Sequence, residues 1–119
     1  MKMTITSITC NATCSIPPKK DNVFLQIQAD AGLPLRYPTV GVVDMGAGDS
    51  FTLPSGGYWV DFDYGVVVTA WDQDSVIITD LNSPDFLFNI AVNTHTASGT
   101  TSTYNQNSAA YTYTIEISQ

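Results

Sequence analysis

The sequence predicts an all-β fold, a sandwich of seven or eight short strands. Three observations carry this reading. Apolar and polar residues alternate with a period of two, as in Val23/Leu25/Ile27 against Phe24/Gln26/Gln28 and again at Tyr111/Tyr113/Ile115/Ile117; this is the pattern of strands with one buried face. No window places apolar residues at helical spacing. Ten of the eleven acidic residues are Asp, with Glu116 the exception, and Asp competes with the helix backbone and favours caps and turns.

The totals agree with one domain over residues 1–119. A chain of 119 residues buries roughly 65% of its unfolded surface, enough for one core. Its hydrophobic content of 44% is that of an ordinary globular protein. Four basic residues against eleven acidic ones give a net charge of -7. That balance excludes nucleic acid as a partner, since phosphate binding needs Lys and Arg. It also excludes a polybasic membrane surface.

The elements follow in order. Met3 to Thr9 alternates and reads as a first strand, not as a secretory leader, because it has no continuous apolar segment. No apolar run approaches the roughly 18 residues of a membrane helix. The compartment therefore stays open among the cell interior, export by a leader that this sequence does not include, and secretion or surface display by another route. Asn11 to Asp21 is a connection containing Pro17-Pro18, and Val23 to Ala29 is the second strand. Arg36 to Val43, broken by Pro38 and Gly41, reads as an edge strand. Asp44 to Asp49 is a glycine-rich turn with no Gly-Lys-Ser/Thr after it, so it is not a phosphate loop. Ser50 to Leu53 reads as a short strand. Tyr58 to Tyr64 reads as one with Asp61 and Asp63 on its wet face. Val66 to Trp71 is the central strand, rich in β-branched residues. Phe86 to Val92 is another, Asn93 to Ala110 is a polar loop or exposed hairpin, and Tyr111 to Ile117 closes the fold.

Cys10 and Cys14 form a C-x3-C pair, either two thiols or a small disulfide loop in an oxidising compartment. They are a poor zinc motif, because no second pair exists and His95 is the one histidine.

The chemistry gathers after the central strand. Asp72, Asp74, Asp80 and Asp85 fall within one loop. Carboxylates so close repel one another unless a cation lies between them. Ca²⁺, bound by six to eight oxygens, is the usual one. On an extended segment Asp72 and Asp74 point to the same side. The loop needs help from a second one, and Asp21, at the mouth of strand two, is placed to give it. Asp30 lies at the far end of that strand, about 30 Å away by strand rise.

Asp21-Asn22-Val23-Phe24-Leu25-Gln26-Ile27 resembles the first calcium loop and second strand of C2 domains. Trp71-Asp72-Gln73-Asp74, followed by Asp85-Phe86-Leu87, is similar to their third calcium loop, which runs D-x-D and then to an aspartate before two apolar residues. The Asp74 to Asp80 interval matches the common spacing, and the Asp85 context matches with about five inserted residues. The resemblance spans Asp21 to Val92 and is to a divergent member, of the stand-alone or toxin-associated kind. It implies an eight-stranded antiparallel C2-like sandwich that holds Ca²⁺ in loops at one end, and the candidate ligands are Asp21, Asp72, Asp74, Asp80 and Asp85, with either Asp80 or Asp85 closing the site. The sequence departs from the family at Phe88, where a Gly is usual, at Asn22-Val23, where Pro-Tyr is usual, and in lacking a lysine-rich face.

Val76-Ile77-Ile78 lies between Asp74 and Asp80. At a loop tip this triplet would contact a bilayer or a partner's groove; folded inward, it would be core. An enzyme is not expected. The pairs Asp61/Asp63 and Asp72/Asp74 lack room for the deep cleft of glycoside hydrolysis, and His95 has no nucleophile-elbow motif beside it. The expected function is Ca²⁺-dependent docking to a membrane or protein partner. The alternative is a non-catalytic carbohydrate-binding or adhesive module using Tyr58, Trp59, Tyr64, Tyr104, Tyr111 and Tyr113 as a stacking platform for a glycan.

Overall fold

The alternation becomes two antiparallel sheets packed face to face. The computed structural model describes residues 1–15, 19–73, 85–105 and 108–119. The described residues form β1 (Lys2–Ala12), β2 (Asp21–Ala29), β3 (Leu35–Tyr37), β4 (Val43–Met45), β5 (Tyr58–Asp61), β6 (Gly65–Asp72), β7 (Asp85–Asn93), β8 (Gly99–Tyr104) and β9 (Ala110–Ser118). One sheet has the order β5-β1-β9-β8. The other has the order β3-β2-β6-β7, with β4 also paired to β2. Among the described residues no helix is long and apolar enough to cross a membrane.

The core lies between the sheets and is drawn from alternate residues of the longer strands, the parity changing where β1 and β7 bulge. Val23, Leu25 and Ile27 of β2, Ile5 and Ile8 of β1, and Val66, Val68 and Ala70 of β6 all belong to it, each at most 1% exposed. Burial of each Val, Leu or Ile side chain contributes roughly 1.5–3 kcal/mol. Phe24, on the outward parity of β2, is covered by the Arg36 guanidinium 4.4 Å above its ring. The start of β5 is pressed onto β1: Gly57 has a φ of +93°, and a Cβ there would stand 2.5 Å from the Ile5 carbonyl oxygen, an approach only glycine permits.

Nine strands stand among the described residues where eight are expected, and the reasons are local. The Arg36 to Val43 stretch is interrupted at Pro38 and Gly41, so that β3 and β4 pair with different halves of β2. Ser50 to Leu53 forms only an isolated bridge, Thr9 with Ser50. The polar stretch after Asn93 supplies β8 as the outer partner of β9. β8 has no apolar face; its Thr100 and Ser102 hydroxyls bond those of Thr114 and Thr112 at 2.8 and 2.9 Å, a ladder of cross-strand pairs. Cys10 and Cys14 are thiols and are not bridged.

Candidate functional site

The site grows out of strand parity. On β2 the inward positions are 21, 23, 25 and 27, and on β6 they are 66, 68, 70 and 72. Asp21 and Asp72 are therefore the last inward residues of two neighbouring strands, and they are 0% and 1% exposed. Carboxylates at such positions need partners. Asp21 accepts the Cys14 N–H and the Tyr111 hydroxyl at Oδ2, at 2.9 and 2.6 Å, and the Ser15 N–H at Oδ1, at 2.9 Å. Asp72 accepts the Asn22 N–H at Oδ1, at 2.7 Å, and the Ser15 hydroxyl at Oδ2, at 3.1 Å. Burial, then the bond to the Asp21 carboxylate, holds the Tyr111 phenol far above its usual titration range. It remains a neutral donor.

A β-bulge brings in the third acid. Ala70 pairs with Phe88 and Trp71 with Phe86, which leaves Leu87 as the extra residue of β7. The bulge turns both Leu87 and Phe88 inward and sets Phe86 outward, 40% exposed. One residue further, Asp85 is opposite Asp72 in the ladder. Without the extra residue the parity of Asp85 would be outward. Cys14 joins from the turn after β1. The Cys14 thiol and one oxygen each of Asp72 and Asp85 all lie within 4.8 Å of one another.

The end of β6 is tied to the start of β2. The Gln73 N–H donates to the Asn22 carbonyl at 2.8 Å, and the Asn22 side-chain amide returns a bond to the Gln73 carbonyl at 3.1 Å. The two carboxylate-bearing strands thus form one rigid mouth, with Ser15 reaching across to it from the turn after β1. Such orientation of potential ligands by surrounding hydrogen bonds is how cation sites are prepared.

Of the expected ligands, Asp72 and Asp85 meet at this end of the sandwich, and Asp21 is joined to them through Ser15. Asp74 and Asp80, and the triplet Val76, Ile77 and Ile78, lie outside the described residues. Asp30 stands at the opposite end of β2, where its carboxylate accepts the N–H groups of Asp63, Tyr64 and Gly65 at 2.9, 2.7 and 3.0 Å. Those three bonds hold its carboxyl below the usual range. His95 is exposed in the turn after β7, its N–H bonded to the Asn93 side chain. The aromatic residues do not assemble as one platform. Tyr111 and Tyr113 are core, stacked near Phe88. Tyr58 packs on Tyr37, while the exposed Trp59, Tyr64 and Tyr104 belong to β5, to the turn before β6 and to β8.

Sequence reasoning missed Ser15, Asn22, Tyr111 and Cys14 as members of this site. Parity points to Asp21 and Asp72. Nothing local marks Tyr111, which is 90 positions from the carboxylate it bonds.

No protein-family model matches the chain, and no curated protein does. A solved structure described as that of a C2 domain superposes with a TM-score of 0.57 at 9% identity, covering 100% of this chain and 99% of that one. Human GIVD cytosolic phospholipase A2, solved with methyl γ-linolenyl fluorophosphonate, aligns with a TM-score of 0.45 at 9% identity, over 98% of this chain and 17% of that one. The first likeness is one of fold: the chain has the C2-like sandwich. The second carries no argument.

Proposed function

We propose that this chain is a non-catalytic C2-like module, folded as one domain over residues 1–119, that binds Ca²⁺ at the β6–β7 end and docks there to a membrane or protein partner. The observation that supports this most is the facing pair Asp72 and Asp85, held at the mouth of the sandwich with Ser15 bonded to one of them. Two carboxylates and a hydroxyl are hard oxygen donors, and they fit Ca²⁺ in part. The thiol of Cys14 is not a calcium donor. Six to eight oxygens are required, so the proposal also assigns Asp74 and Asp80 to the ion. Asp21 has a different part, since its oxygens already accept three hydrogen bonds. It holds the turn that carries Ser15 and adds negative potential behind the site.

Bound Ca²⁺ would supply the positive charge that lets these carboxylates lie together. The chain's own contribution is to orient Asp72 through Asn22 and Ser15, and to present Val76, Ile77 and Ile78 as the contact with a bilayer or an apolar groove.

The test is thermal unfolding in EDTA and in about 5 mM Ca²⁺, which suits a module with a dissociation constant on the order of 10⁻⁴ to 10⁻³ M. The expected result is a rise of several degrees, absent in Asp74→Asn/Asp85→Asn and retained in Cys14→Ser. Each variant is read by its own shift, so a change in basal stability does not enter. Equal melting temperatures in both buffers for the parent chain would overturn the reading.

A further inference from the structure

The outer edge of β7 carries an opening unrelated to the carboxylate end. Gly65 directs its backbone toward β2: its N–H donates to the Asp30 carboxylate and its carbonyl accepts the Asp30 N–H at 2.7 Å. By alternation, Val66, Val68 and Ala70 direct theirs toward β7, where they face Val92, Ile90 and Phe88. The backbone groups of Asn89 and Ala91 therefore point away from β6, along the free side of the sheet. Both ends of that side are closed. The Asn105 side-chain amide donates to the carbonyls of Phe86 and Leu87, and Thr96 bonds the N–H and carbonyl of Asn93. Between these caps, Asn89 and Ala91 present two N–H and two C=O groups. Among the described residues no backbone group pairs with them.

The charge distribution says what fits there. From Phe86 to Ile115 the sequence contains no Asp, Glu, Lys or Arg, in a chain of net charge -7. Edge strands are ordinarily guarded by Lys, by Pro, by an inward-pointing charge or by a bulge; the bulge at Leu87 guards only the start of β7, and Asn89 to Asn93 has none of these. A basic partner would be drawn to the carboxylates elsewhere. A second copy, equally acidic, is repelled everywhere except along this neutral stretch.

We propose that β7 is the interface of a symmetric dimer, formed by antiparallel pairing with β7 of a second copy of this chain. A two-fold axis at Ile90 sets Asn89 opposite Ala91 of the second copy and Ala91 opposite its Asn89. Every outward backbone group of both residues is then paired, and the same patch serves both copies. The β3-β2-β6-β7 sheet continues through the axis into its twin.

The experiment is sedimentation velocity on the full chain from about 1 to about 500 μM, a span suited to a small interface, with amide exchange at Asn89 and Ala91 followed in parallel. The expected result is a mass that rises from 12.9 kDa toward twice that value, while exchange at those two amides slows at least several-fold at the top of the series. Added salt screens the repulsion between the acidic copies and strengthens the dimer. Asn89→Lys and Ala91→Lys, each placing cations against the facing strand, remain monomeric throughout. A monomeric parent at every concentration, concentration-independent exchange, dissociation by salt, or undiminished association of folded lysine variants would each overturn the proposal. The exchange and salt arms use the parent chain, so they decide the matter even if a variant fails to fold.

Discussion

Asp21 and Asp30 flank the same strand, β2, and both turn their carboxylates onto neighbouring backbone. Asp21 gathers the N–H groups of Cys14 and Ser15 and the Tyr111 hydroxyl in a place no water reaches, at 0% exposure. Asp30, exposed and in the left-handed region with a φ of 54°, gathers three N–H groups of the turn before β6. The bonding is nearly the same, and the consequences differ because of solvent. At the Asp30 end, water can take over bonds that are lost. At the Asp21 end the lost bonds leave the buried Tyr111 hydroxyl and two half-buried N–H groups unpaired. The lesson is that a carboxylate of this sequence can serve as a brace at either end of a strand, and solvent decides what losing it costs.

The comparison can be broken most decisively at Asp21. Asp21→Ala strands two N–H groups and a phenol, and we expect a loss of about 3–5 kcal/mol in urea denaturation. A loss below about 1 kcal/mol would mean the interior end is no more demanding than an exposed one. Tyr111→Phe removes a single member of the cluster and should cost about 1–3 kcal/mol, measured the same way.

Asp30→Asn should lower the melting temperature by less than either change, and in a pH-dependent way. The folded state holds the Asp30 carboxyl below its usual value, chiefly through the N–H groups of Asp63, Gly65 and Tyr64. Its stabilisation is therefore complete above the unfolded pKa, about 3.9, and disappears as pH falls through the lower folded pKa. Melting curves of parent and variant should differ at neutral pH and converge in acid; a gap that widened in acid would contradict the assignment. The smallest effect belongs to Lys20→Ala. Lys20 meets Asp49 at 3.5 Å with both side chains about half exposed, and such pairs contribute little. The Gly46 N–H, more than Lys20, lowers the Asp49 carboxyl. The melting temperature should stay within about 1 °C of the parent's.

The same division explains what could be read in advance. β2, β6, β7 and β9 alternate because one face of each is core, and each was legible to within about two residues at either end. β8 reads from sequence as a loop or exposed hairpin because its residues are held by hydroxyl pairs and backbone, which leave no apolar rhythm. Ser50 to Leu53 has strand composition, yet Pro54 follows it, and its pairing stops at the isolated bridge of Ser50 with Thr9 and the Phe51 N–H on the Ile8 carbonyl. At the site, the grouping of Asp72 with Asp85 was legible as a cluster of acids. Their facing geometry was not, because it depends on a bulge hidden inside the uniformly apolar Phe86-Leu87-Phe88. The grip of Tyr111 on Asp21 joins distant parts of the chain, and no local pattern encodes it.

The bulge has one more consequence, an optical one. Trp71 and Phe86 pair next to the two acids in an edge-to-face arrangement with ring centroids 5.6 Å apart, and the Trp71 indole N–H donates to the Thr69 hydroxyl at 2.9 Å. The second tryptophan, Trp59, is 57% exposed and pairs with Thr4 near the start of β1, the end away from Cys14. The molecule therefore carries its own fluorophore beside the carboxylates and a second, solvent-bathed one at a distance. In a Trp59→Phe variant, emission from Trp71 alone reports any change at the β6–β7 mouth, with no label attached.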